Sequence, residues 1–162
     1  MGALYGYYRA ADAQAAVRVA DEPGGPTVAN SSWDAVDGKG IDPAVVLGRL
    51  VALVRDTPWH TGLVDGTVVW PAGGYPADWE RVPENSPWVT GPWIEELGPA
   101  ARDTLAGIDN ARIADLAARW ARIEEFDRQA EPFALQSFLE RLVLLARRAR
   151  AAGEKLYCWS SL

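Results

Sequence analysis

The sequence predicts an α/β fold: a single compact domain with helices packed on a central sheet and a long Pro/Trp-rich loop at residues 56–92. Three observations predict it. Leu135, Phe138, Leu142, Leu145 and Ala149 recur at steps of three and four, the apolar face of a core helix. After Gly153 comes Leu156-Tyr157-Cys158-Trp159, too apolar for a tail and suited to a strand buried on both faces beside the centre of a sheet. Near the start, Leu4-Tyr5-Gly6-Tyr7-Tyr8-Arg9 is short and aromatic and reads as a first strand. The chain of 162 residues suits one domain. A chain of this size buries about two thirds of its unfolded surface.

Taken in order, the first strand carries Gly6, which implies a bulge or a close neighbour. Residues 10–20 read as a short alanine-rich helix that stops before the loop Pro23-Gly24-Gly25-Pro26. Residues 27–40 form a loop in which Trp33 is the expected anchor on the core. Asp34, Asp37 and Asp42 lack the register of a calcium loop, so that stretch reads as solvated. Asp42-Pro43 is a helix start, an aspartate cap followed by proline. Val46, Leu47, Leu50, Val51 and Val54 mark the buried face of that helix, which ends near Asp56.

Pro58, Pro71, Pro76, Pro83, Pro87 and Pro92 punctuate the loop at 56–92, and it holds Trp59, Trp70, Trp79 and Trp88. Leu63-Val64 and Thr67-Val68-Val69-Trp70 flank Asp65-Gly66 as the two arms of a hairpin. Two readings of the tryptophans stay open: the rings pin the loop to the core, or they form an aromatic recognition surface or pocket rim. Residues 93–106 read as a helix kinked or divided at Gly98-Pro99. Asp109 or Asn110 caps the next helix, whose apolar face is Ile113, Leu116, Trp120 and Ile123 with Phe126 near its end. Glu131-Pro132 breaks the chain before the closing helix. Arg147, Arg148 and Arg150 suit the negative end of that helix, and Gly153 suits a left-handed C-cap. An anion-binding patch is the functional alternative for the arginines, and the acidic balance of the chain speaks against it.

Several of these pieces, in this order, resemble the YfbM-like family of small bacterial proteins of unassigned function. They are Met1-Gly2 with Gly6-Tyr7-Tyr8, Gly40-Ile41-Asp42 before an apolar helix, Trp93-Ile94-Glu95-Glu96-Leu97, the Ile108-Asp109 helix start, and the closing helix with Gly153 and its strand. The resemblance implies an α/β domain with helices on a central mixed sheet and brings no catalytic residues. The chain departs from the family pattern at Pro43-Ala44-Val45-Val46-Leu47, where the family often carries an aromatic-rich segment, and in its Pro/Trp-rich loop.

Composition bounds the function. The net charge of −6 argues against a general nucleic-acid or anionic-membrane binder and permits a basic protein partner. No apolar run approaches the length of a membrane span, and no basic-then-apolar leader opens the chain, so a cytoplasmic location is expected. Cys158 is the one cysteine and His60 the one histidine, which excludes a disulfide framework and a cysteine or histidine metal cluster. No phosphate loop or nucleophile elbow is present, so neither a cofactor nor a metal is expected. Glu95 and Glu96, adjacent on a helix, would point apart rather than act as a pair.

Two functional readings remain. In the first, the chain is a non-enzymatic, immunity-like or regulatory protein-binding module using the acidic, tryptophan-rich loop. Its candidate binding residues are Trp59, Trp70, Trp79 and Trp88 with Asp65, Asp78 and Glu80. In the second, the chain is a small enzyme or ligand binder whose pocket, rimmed by Trp59, Trp70 and Trp88, uses His60 as a general base oriented by Asp56 or Asp65.

Overall fold

The computed structural model describes residues 2–127 and 130–162. Its strands are β1 (Leu4–Ala10), β2 (Ala35–Asp37), β3 (Thr67–Trp70), β4 (Trp93–Glu96) and β5 (Lys155–Ser161). Its helices are α1 (Ala13–Ala16), α2 (Val46–Arg55), α3 (Pro87–Thr90), α4 (Pro99–Ala106), α5 (Ile113–Trp120) and α6 (Pro132–Ala151). The strands form one sheet in the order β2-β1-β5-β4-β3. This is the expected α/β domain, with one correction. The sheet is antiparallel at every pairing rather than mixed. The mixed sheet is what the resemblance to the YfbM-like family implies. Yet β4 and β5, which flank α4, α5 and α6, run in opposite directions.

The centre of the sheet is β5, as its unbroken apolar run predicts. It pairs with β1 from Leu4↔Ser161 to Ala10↔Lys155 and with β4 from Trp93↔Ser160 to Glu96↔Tyr157. Successive residues of a strand point to opposite faces. Leu156 and Cys158, with Tyr7 of β1, therefore join the large core under α2, α4, α5 and α6. Tyr157 and Trp159, with Tyr8 and Ile94, join a second core on the other face. That face is covered by α1, the 3-10 turn Val17–Asp21, Trp33 and Trp70. Gly25 packs so closely that a side chain there would meet the Trp159 ring at 2.6 Å. Gly6 is likewise a close-neighbour position, since a Cβ would stand 3.1 Å from Pro26 and Thr27.

The closing helix behaves as its periodicity predicts. Leu135, Phe138, Leu139, Leu142, Leu145 and Ala149 are buried, and Gly153 takes the left-handed conformation at φ 67° just past the end of α6. Its arginines hold the structure together. Arg147 donates to the carbonyls of Ala106 and Ile108, fixing the end of α4. Arg148 and Arg9 both bind Asp34, at 2.8 and 2.6 Å. The hydrogen bond from Arg148, reinforced by Arg9, lowers the pKa of Asp34. Asp34 is thus a partly buried ion-pair partner rather than a solvated loop residue, and the segment after it forms the short edge strand β2. Trp33 is the expected anchor, with its indole N–H donating to Glu22 and its ring edge-on to Tyr8.

Two predicted elements are different in the structure. Trp93 to Glu96 is the strand β4, and the helix begins only at Pro99. Hydrogen-bonding partners on both sides, β3 and β5, outweigh the local helical spacing. The hairpin across Asp65-Gly66 is absent. Val64 is buried beneath a turn and its carbonyl accepts from Gly98, while β3 pairs with β4 across a bulge between Val68 and Trp70. In that turn it is Asp65 that takes positive φ, at 54°. Gly66 is there for space, because a Cβ would lie 1.7 Å from the Glu95 carboxylate.

The Asp42 carboxylate accepts from the amides of Val45 and Val46 at 2.7 and 3.2 Å. It caps the turn that leads into α2, and Asp56 ends the helix in a left-handed conformation. Asp42→Ala is expected to cost about 1 kcal/mol in urea denaturation, whereas Asp42→Asn keeps most of the cap.

Candidate functional site

The tryptophans of the 56–92 segment do not share one place. Trp59 lies back on α2, its indole N–H donating to Ala44 at 3.3 Å and its ring 4.5 Å beneath the Arg49 guanidinium. Arg49 is in turn paired with Glu124 and Glu125. Trp70 packs into the second core with Trp33. His60 is exposed on a turn, and the resolved pairings of Trp59, Trp70 and Trp88 do not converge on it. The rim proposed for a pocket around His60 is therefore divided between two faces of the sheet. Asp65 is exposed in the turn before β3.

Trp79 and Trp88 do come together. Ser86 caps α3 and Pro87 occupies its first turn, which presents Trp88 to a loop carrying Tyr75 and Trp79. The Tyr75 ring is 5.3 Å from that of Trp88, and Trp79 meets Trp88 edge-on at 6.1 Å. Tyr75 is 68% exposed and Trp79 54%, and Val89 beside them is also exposed. Tyr75 carries no special signal in the sequence beyond lying between Gly74 and Pro76. Asp78 caps the turn Trp79–Arg81 through the Glu80 amide and pairs with Arg81 at 3.1 Å. Asp78, Glu80 and Glu84 are all exposed around the rings. The result is an aromatic patch with an acidic margin, held in shape by its own capped turns.

A cleft of about 260 Å³ adjoins the patch and shares Tyr75 with it. Its floor is one face of the sheet at the end that the helices leave uncovered: Tyr5 of β1, Cys158 of β5 and Glu95 of β4, with Trp93 beside them. The turn Asp42-Pro43-Ala44 forms the opposite wall. Glu95 is half-buried here because Gly66 lets its side chain lie flat across the β3 turn. Burial, and then the nearby charge of Asp42, raises its pKa above that of an ordinary glutamate. Its neighbour Glu96 points to the other face and binds Lys155 and the Tyr157 hydroxyl. The two carboxylates are therefore on opposite faces of a strand, not 100° apart on a helix, and again do not form a pair.

Burial raises the Cys158 thiol well above its usual range, and Tyr5 is raised by burial and by Asp42. Neither is an activated nucleophile or base at neutral pH. Among the described residues, no group of three or more His, Cys, Asp or Glu side chains is placed to hold a metal ion. No described helix is long and apolar enough to cross a membrane. No family model matches the chain, and neither the curated proteins nor the solved structures contain a significant match to it.

Proposed function

We propose that the protein is a non-enzymatic binding module that presents the Tyr75–Trp79–Trp88 patch to a basic protein partner. The observation that carries this reading is the contact of the Trp88 ring with those of Tyr75 and Trp79, the latter two more than half exposed. Large aromatic side chains left in water on a pre-shaped loop lose little entropy on association and are the side chains most enriched among interface anchors. The margin of Asp78, Glu80 and Glu84 and the net charge of −6 favour encounter with a positive surface. A toxin-neutralising or regulatory role in the cytoplasm fits a small acidic domain of this kind. The order of segments shared with the YfbM-like proteins is compatible with it.

A photo-crosslinking residue placed at Val89, inside the patch, is expected to trap a discrete basic protein in the native cell. The same residue at Arg112, an exposed position outside the patch, is expected not to trap it. Trp79→Ala is expected to abolish the crosslink while shifting the melting temperature by less than about 2 °C, as befits a side chain with little burial to lose. Equal crosslinking from both positions, or loss of the fold on Trp79→Ala, overturns the assignment.

A further inference from the structure

We propose that the cleft beside the aromatic patch takes a lysine or arginine side chain of the bound protein partner, with the Glu95 carboxylate as its counter-charge and Tyr5, Trp93 and Tyr75 as its walls. The inference rests on the function proposed above and names the chemistry by which that partner is read.

Five observations carry it. Among the described residues, the cleft is lined by two carboxylates, Asp42 and Glu95, and by no lysine or arginine, so it suits a cation and repels phosphate or carboxylate ligands. Asp42 is already committed to the amides of Val45 and Val46, whereas, among the described residues, burial of Glu95 is offset by neither a hydrogen bond nor a basic neighbour. A half-buried carboxylate without a partner is costly to the fold, and an incoming cation removes that cost. The surrounding rings add the faces and edges that favour an ammonium or guanidinium group. The volume, about 260 Å³, lies below the range of roughly 300–1,000 Å³ usual for drug-sized ligands and is suited to a single side chain. Tyr75 belongs to both places, so a side chain entering the cleft would come from a chain already lying on the patch.

Linkage gives the sign of the pH response. Because the folded-state pKa of Glu95 is raised, the stability tied to its protonated form is complete below the ordinary glutamate range and is lost as pH rises through the raised value. The ionised form of Glu95 is a cost to the free protein, so Glu95→Gln is expected to melt no lower than the native chain. Cation binding needs the ionised form and should fade as acidification protonates Glu95. The other titrating groups facing the cleft are Asp42, Tyr5, Tyr75 and Cys158. Burial pushes Tyr5 and Cys158 upward, away from this window, and Asp42→Asn isolates the remaining carboxylate.

The test titrates the whole protein with N-acetyl-lysine methylamide, N-acetyl-arginine methylamide and the neutral N-acetyl-norleucine methylamide, followed by NMR shifts of the Trp93 indole and the Ala44 and Cys158 amides. Both cations are expected to shift these signals at millimolar concentration, the range for one weakly held side chain, and the norleucine compound is not. Glu95→Gln should weaken the cations about tenfold or more. Gly66→Ala, which forces the carboxylate out of its place, should do the same, while Arg112→Ala, outside both the patch and the cleft, should change nothing. Equal shifts with norleucine, no shifts with either cation, or an unchanged affinity in Glu95→Gln overturn the site. Crosslinking at Val89 without cation binding overturns the cleft and leaves the binding module standing. Cation binding without crosslinking removes the protein source of the side chain and, with it, the module.

Discussion

A chain ending at Gly153 is expected to lose cooperative unfolding altogether. Among the described residues, the missing strand is the only link between the two halves of the sheet, since β5 alone pairs with both β1 and β4. Without it, β2–β1 and β3–β4 remain as two-stranded ribbons, each marginal in water on its own. Leu156, Tyr157, Cys158 and Trp159 are each at most 5% exposed, and burying one large apolar side chain is worth about 1.5–3 kcal/mol. Their removal, with the surface uncovered on Tyr7, Tyr8 and Ile94, approaches the ~5–15 kcal/mol by which a domain is stable. Calorimetry of the truncated chain should show no sharp transition, and a hydrophobic dye should bind it in buffer. A melt like that of the full chain would remove β5 from its place at the centre.

Trp120→Ala should be the most damaging point change of the buried rings, at about 3–5 kcal/mol. Trp120 is fully buried at the end of α5 and stacks on Phe126 and Phe138 at 5.7 and 6.0 Å. Its indole N–H donates to the Val46 carbonyl at 2.9 Å, tying α5 to the first turn of α2. A control comes from Trp159, whose buried indole N–H has no acceptor. Trp120→Phe loses a hydrogen bond worth about 1 kcal/mol beyond its volume change, and Trp159→Phe loses none. Urea midpoints, at an unchanged slope, should therefore place Trp120→Phe below Trp159→Phe. The reverse order would show that volume rather than the hydrogen bond decides.

Where periodicity was sustained, the fold could be read from the sequence. The closing helix shows its buried face over five turns and ends at a glycine that adopts the left-handed conformation the cap requires. The central strand betrays itself by four apolar residues in a row, which only burial on both faces explains. Trp93-Ile94-Glu95-Glu96 misleads because four residues suit a helical start as well as a strand, and what selects the strand is the pairing with Thr67–Trp70 and Lys155–Ser161. Asp65-Gly66 misleads for a related reason: its glycine serves the Glu95 side chain rather than a hairpin turn. The exposed patch is half legible, since Trp79 and Trp88 stand out as tryptophans among prolines and Tyr75 carries no such signal. The cleft was invisible, because Tyr5, Asp42, Tyr75, Glu95 and Cys158 come from five separate stretches that only the folded sheet brings together.

The pairing of Leu4 with Ser161 has a mechanical consequence. The outer ends of β1 and β5 lie side by side at one margin of the sheet, and the two strands run antiparallel. A force that pulls those ends apart loads their ladder from that margin inward, one rung at a time. It never shears all the rungs together. The long ladder at the centre of the sheet thus yields one rung at a time, so single-molecule stretching from these two ends should meet little resistance. Pulling from Leu4 and Lys155 instead would put the whole ladder under shear and raise the rupture force.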